Sequence, residues 1–169
     1  MGGIKKEEFD IEFISRTERI LKGYKGQLNI TLLLNCLLGL IVLPSEYYNR
    51  KSRTFFDVEL KDIPELTSHF TNIHFNPTKR KKNGWVADKK SLKNLIKKIR
   101  NGVSHQQIEC IGSKAKWNEI TIRDYNIGNH HNLELQVSWT PKQLKEFALY
   151  VAERYKSEIS KLNNPVKPL

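Results

Sequence analysis

Arg100 and His105 are the residues of this chain best suited, by type and spacing, to act on a phosphodiester. An imidazole can take up or release a proton near neutral pH, and a guanidinium can hold phosphate oxygens through two parallel hydrogen bonds. Both lie in Ile99-Arg100-Asn101-Gly102-Val103-Ser104-His105. Leu92, Leu95, Ile96, Ile99 and Val103 recur at helical spacing, so one face of a helix from about Ser91 must be buried, while Lys93, Lys97 and Arg100 fall on a different face. If helical or turn-like geometry persists to His105, Asn101 lies one turn before the histidine and Arg100 projects to the same end. The catalytic candidates are then Arg100, Asn101 and His105, with Ser104 a further candidate for a hydrogen bond at the site. The spacing also has an ordinary explanation: a cation near a helix C-terminus, a glycine where the chain leaves the helix, and a surface histidine.

The remaining elements must position that segment. Phe9, Phe13, Ile14, Ile20 and Leu21 fit one face of a first helix, about residues 6–23, with Arg16, Glu18 and Arg19 filling the remainder. A second helix, about 27–43, is apolar on nearly all sides, yet shorter than the roughly twenty residues a membrane span requires. It reads as the central helix of a bundle, with Asn35 buried and in need of hydrogen-bond partners, and Pro44 ending it. Tyr47, Tyr48, Phe55 and Phe56 are interleaved with Arg50, Lys51 and Arg53, a mixture suited to stacking bases and holding phosphates, or to pinning a loop. A short helix is expected over 64–70. Lys79-Arg80-Lys81-Lys82, followed by the turn signal Asn83-Gly84, reads as a solvated loop or an RNA-steering arm just before the motif helix of 91–104. Alternation then indicates strands near 107–111, 117–124 and 132–139. Thr140, Pro141 and Gln143 form a capping box that opens a last helix to about 162. The expected fold is a mainly α bundle of four to five helices in a single domain over 1–169, with a small antiparallel hairpin or three-stranded appendage before the last helix.

Lys and Arg number 29 against 18 Asp and Glu, a formal net charge of +11, so polyanions are natural partners. Besides Lys79, Arg80, Lys81 and Lys82, the RNA-binding candidates include Lys93 and Lys97 on the motif helix. Cys36 and Cys110 are too few for a disulfide framework, and the N-terminal stretch has no apolar core of the signal-peptide kind, so a cytoplasmic protein off the membrane is expected. There is no glycine-rich phosphate loop, no zinc-type Cys or His spacing and no readable carboxylate pair. His69, His74, His130 and His131 are scattered, the last two reading as turn residues. Chemistry without a metal or cofactor is the expectation.

Two stretches together resemble the HEPN superfamily, small helical domains that include many prokaryotic ribonuclease toxins. Arg100-Asn101-Gly102-Val103-Ser104-His105 matches that family's arginine, polar residue, three variable residues and histidine. Thr31-Leu32-Leu33-Leu34-Asn35-Cys36-Leu37-Leu38-Gly39-Leu40-Ile41-Val42-Leu43-Pro44-Ser45-Glu46 is similar to the second helix of a plasmid- and defence-associated HEPN branch. The resemblance implies a metal-independent endoribonuclease that leaves a 2′,3′-cyclic phosphate or its hydrolysed product. It also implies a homodimer in which two motif segments meet in one cleft, and an antitoxin or regulatory protein as a further partner. Gln107 stands where some HEPN toxins carry a tyrosine modified by a partner nucleotidyltransferase, so the resemblance does not extend to that route of neutralisation. The alternative is a non-catalytic HEPN-like domain that binds nucleic acid or protein.

Overall fold

The computed structural model describes residues 9–24, 29–42, 56–71, 73–113, 116–129 and 131–163. The aromatic and basic stretch from Pro44 to Phe55 lies outside them, as do Lys6, Gln27, His130 and Pro165. Two compact units form, one from Met1–Ser52 with Lys145–Leu169, the other from Arg53–Leu144.

In the first unit α1 (Phe9–Gly23) packs against α2 (Asn29–Leu37) and its π-helical continuation Leu38–Val42. Ile14 and Leu21 of α1 are buried, as are Leu33, Cys36, Leu40 and Ile41. Two sequence expectations need correction here. Phe9, Phe13 and Ile20 are exposed, at 47%, 39% and 54%, so the apolar positions of α1 split into a buried line and an open one. Asn35 is exposed and not a buried lock. A polar group that short of partners is most cheaply left in water. Thr17 and Glu18 are buried instead, and Glu18 is ion-paired to Lys156 of the last helix, α5 (Pro141–Asn163).

The second unit is built on a sheet. Three short helical turns, Leu60–Asp62, Pro64–Leu66 and α3 (Thr67–Phe70), lead to β1 (His74–Phe75). Then come β2 (Thr78–Lys81), β3 (Gly84–Ala87), α4 (Leu92–Ser104), β4 (Ile108–Ser113), β5 (Lys116–Asn126) and β6 (Asn132–Trp139). A four-stranded antiparallel sheet runs in the order β1-β6-β5-β4, and β2 with β3 makes a separate two-stranded ribbon. These two sheets correct the mainly α expectation to a mixed α/β fold. The physical reason is that β1 has two residues and β2 is Thr-Lys-Arg-Lys, so neither shows the apolar alternation by which a half-buried strand is read. Lys79 to Lys81 are thus in a paired strand, not a loop.

Helix α4 carries the motif and is fixed at both ends. Ser91 Oγ accepts the Asn94 amide at 3.3 Å as N-cap. The Val58 and Phe56 carbonyls accept the Leu92 and Lys93 amides at 2.9 and 2.8 Å, which satisfies donors that a helix start leaves open. Leu92, Leu95, Ile96 and Ile99 are buried, and α4 packs on β5 and β6, whose Ile120, Ile122, Leu135, Val137 and Trp139 are also buried. Gly102 sets how close that approach can be: a Cβ there would lie 2.3 Å from the Arg123 carbonyl oxygen and 2.7 Å from Ile122 Cγ2. Gly102→Ala is therefore expected to cost about 2–3 kcal/mol in urea denaturation, against the roughly 1 kcal/mol that alanine gains in an open helix, because the β5 backbone cannot yield as a side chain can.

Candidate active site

The last turn of α4 ends in a Schellman-type cap without glycine. His105 is the C-cap, and its amide donates to the Asn101 carbonyl at 2.8 Å. The Gln106 and Gln107 amides donate back to the Val103 and Gly102 carbonyls at 3.1 and 2.8 Å. Gln106 has a φ of 57°, the left-handed turn that reverses the chain. The Gln107 carbonyl then accepts the Arg123 amide at 2.9 Å, which ties the reversal to β5. Asn101 therefore does lie one helical turn before His105, and Gly102 is inside the helix and not at its exit.

His105 is exposed and lines a cavity of about 340 Å³, together with Gln107, Asp124, Tyr125, Ile127 and His131 among the described residues. Arg100 and Asn101 are half-buried and fall outside that lining set; an Arg100 Nη2 donates to Asn101 Oδ1 at 3.1 Å. Ser104 and Lys97 are exposed, and Lys93 Nζ lies 3.5 Å from Asp57 Oδ1. The sequence expectation thus divides: His105 opens on the cavity, while Arg100 and Asn101 are joined to each other on the preceding turn.

Beneath the cavity is a buried ionic cluster. Lys98, on the motif helix, meets Asp124 Oδ2 at 3.0 Å and also pairs with Glu134. Glu134 Oε1 accepts the Thr78 amide at 3.1 Å and Asn126 Nδ2 at 3.0 Å, as well as the Thr78 hydroxyl. Glu134 faces inward because of a β-bulge: Asp124 pairs with Leu135 and Tyr125 with Leu133, leaving Glu134 as the extra residue on β6. Burial on its own would raise the Glu134 carboxyl, but hydrogen bonds from Lys98, Thr78 and Asn126 outweigh it and hold the group below its ordinary value. Burial would likewise lower the Lys98 ammonium, and Glu134 and Asp124 together raise it above its ordinary value. Asp124 belongs both to this cluster and to the cavity wall.

The basic ribbon is anchored beside the same wall. Trp85 Nε1 donates to the Gly128 carbonyl at 2.9 Å, in the Ile127–Asn129 turn whose first residue lines the cavity. Arg80 pairs across the ribbon with Trp85, so the two share a face, whereas Lys79 is on the other face and is engaged by Asp88 at 2.7 Å. Burial would raise Asp88, but Lys79 and the Lys89 amide hold it below its ordinary value. Arg80, Lys81 and Lys82 are exposed.

A larger cavity, of about 660 Å³, is lined by Leu60, Phe70, Ile73 and Phe75 with lysines and Glu59. Among the described residues it is lined by no histidine or cysteine, so these offer less for proton transfer near neutral pH. Both cysteines are free thiols raised above their ordinary value by burial, which disfavours the reactive thiolate. Among the described residues no group of three or more His, Cys, Asp or Glu could hold a metal ion.

A family model described as HEPN pEK499 p136 matches residues 1–162. The chain belongs to that HEPN family. No curated protein and no solved structure matches it. The family match covers residues of both compact units of this HEPN chain. Among its described residues no helix is long and apolar enough to cross a membrane. Asp124, Tyr125, Gln107 and His131 line the candidate site, and Lys98 pairs with Asp124 beneath it; sequence reasoning did not assign them to it. For Lys98 one signal was available: it lies two and three residues from Ile96 and Leu95 and one from Ile99, so helical geometry puts it near the edge of the buried face.

Proposed function

We propose that this HEPN chain is a metal-independent endoribonuclease of the toxin or defence type, which cleaves RNA by attack of a ribose 2′-hydroxyl on the adjacent phosphodiester. The observation that carries the reading is His105, held at a fixed helix cap and open to a cavity, within a family-matched chain of net charge +11. His105 moves a proton of the 2′-hydroxyl or the leaving 5′-oxygen, Arg100 neutralises charge on the phosphoryl oxygens, and Asn101 orients the guanidinium it already holds. Arg80 and Lys81 of β2, with Lys82 in the turn after it, supply phosphate contacts, for which lysine and arginine are the usual groups. Incubation of the purified protein with total cellular RNA in EDTA is expected to yield fragments ending in 2′,3′-cyclic phosphate and 5′-hydroxyl. Fragments with 5′-phosphate would point to a different chemistry.

The site is completed by a homodimer in this reading. Phe9, Phe13, Ile20 and Tyr24 are exposed and fall within about 60° of one another around α1, an apolar line of the kind an isologous interface covers. Ile20→Asp and Phe9→Asp are expected to shift the protein from dimer to monomer in size-exclusion chromatography with light scattering. A wild-type monomer at micromolar concentration would remove the dimer from the account. An antitoxin or regulatory protein remains part of the reading, and RNA is the substrate.

One observation favours the second reading, a non-catalytic HEPN domain that binds nucleic acid or protein. Arg100 is joined to Asn101 and lies outside the set that lines the His105 cavity. The cleavage assay separates the two.

A further inference from the structure

We propose that His131 is the second imidazole of a two-histidine phosphodiester site, working with His105 in the cavity that both line. The proposal rests on the ribonuclease reading above and adds to it a residue which the R-x4-H motif does not contain. His105 comes from the end of α4 and His131 from the turn before β6, and both are exposed. His131 has a φ of 59°. That left-handed conformation is uncommon for a residue with a Cβ, and glycine or asparagine is its ordinary occupant. The fold thus holds an imidazole at an uncommon turn conformation on a cavity wall, which is where such conformations and function tend to coincide.

Among the described residues the other titratable groups lining the cavity are Tyr125 and Asp124, and Asp124 is engaged by Lys98 at 3.0 Å. The two histidines are therefore the groups in this wall suited to exchange protons near neutral pH. Their division of labour balances. One neutral imidazole takes the 2′-hydroxyl proton as the 2′-oxygen forms its bond to phosphorus. The other, as imidazolium, gives a proton to the 5′-oxygen as the phosphorus–oxygen bond breaks. The products are a 2′,3′-cyclic phosphate and a 5′-hydroxyl, and the pair ends with its protonation exchanged and its charge unchanged. Within one protomer the single imidazole of the motif would leave one of those transfers to water or to the motif of a second copy, whereas each positioned transfer is worth about 10²–10⁴-fold. Acid and base then come from one protomer, whatever the dimer adds.

The test is the pH profile of kcat/KM for RNA cleavage by wild type, His131→Asn and His131→Gly, since both replacements suit a left-handed backbone. Loss of about 10²-fold or more, with one limb of a bell-shaped profile removed, is expected. A uridine 3′-(4-nitrophenyl phosphate) substrate, whose leaving group needs no proton, should restore either His131→Asn or His105→Ala, whichever lacks the acid. Wild-type rates in both His131 variants would overturn the proposal and leave the ribonuclease reading intact. So would a slower rate with an unchanged profile and no restoration, which is what a structural role gives. If wild type cleaves no RNA, the ribonuclease reading fails separately, and NMR decides the site. His105 and His131 signals that shift along one saturation curve with uridine 3′-phosphate would support a shared phosphate site, and an unmoved His131 signal would overturn it.

Discussion

His105→Ala should reduce RNA cleavage by about 10²–10⁴-fold, the usual worth of a positioned acid or base, with little change in stability. The side chain is exposed and lines the cavity, and its backbone contribution to the cap, the hydrogen bond its amide donates to the Asn101 carbonyl at 2.8 Å, survives the substitution. Arg100→Ala should fall by a similar factor and Arg100→Lys should recover only part of it, because a lysine keeps the charge and loses the planar fork that grips two phosphoryl oxygens. Arg100 is half-buried and bonded to Asn101 at 3.1 Å, so circular dichroism and light scattering must accompany its kinetics. A His105→Ala protein that cleaves as fast as wild type would move the chemistry elsewhere in the chain.

The largest stability effect belongs to Lys98. Lys98→Met leaves the Asp124 and Glu134 carboxylates buried and facing each other without their cation, and should cost about 3–5 kcal/mol in urea denaturation at neutral pH. The pH dependence follows from the directions of the shifts. Glu134 is held below its ordinary value in the fold, so its contribution is present above the unfolded carboxylate value of about 4.3 and is lost as pH falls through the lower folded value. Lys98 is raised, so its contribution is complete below the unfolded value of about 10.4 and is lost as pH rises through the higher folded value. Wild type should therefore lose stability at both extremes and hold it between them. The deficit of Lys98→Met should shrink as pH falls, because protonation relieves the two stranded carboxyls. A deficit independent of pH would mean that lost packing of the lysine stem outweighs the charge. Asp124 also lines the cavity, so the cluster joins the stability of the unit to the shape of the candidate site.

What the sequence disclosed follows the strength of each local signal. The motif helix was legible because Leu92, Leu95, Ile96 and Ile99 recur at helical period, and all four are buried. The capping box was equally readable: Thr140 Oγ1 accepts the Gln143 amide at 3.2 Å, and Gln143 Oε1 accepts the Thr140 amide at 3.0 Å. Ile120 and Ile122 alternate on β5 opposite Trp139 and Val137 on β6, a pattern long enough to see. The β2 and β3 ribbon was not, since Lys79, Arg80 and Lys81 carry charge on both faces and are held in place by pairing and by Trp85 on Gly128. Apolar spacing on α1 indicated a helix but could not say which half of the stripe would remain open.

The site was half legible for a related reason. Arg100, Asn101 and His105 are adjacent in sequence, so one helix turn is enough to relate them. Lys98 reads as another solvent lysine until the bulge at Glu134 and the β5 carboxylate are brought beneath it. His131 reads as a turn residue, and it is one; that its turn lines the cavity of His105 depends on pairings of β5 with β6 and of Gln107 with Arg123 that no local pattern encodes.

The most direct measurement of the central claim is cleavage of total cellular RNA in EDTA by wild type beside His105→Ala and Arg100→Ala, each shown to be folded. The account predicts cleavage by wild type and its loss in both variants. Equal cleavage by all three, or intact RNA with wild type across total and structured RNA substrates, would contradict it.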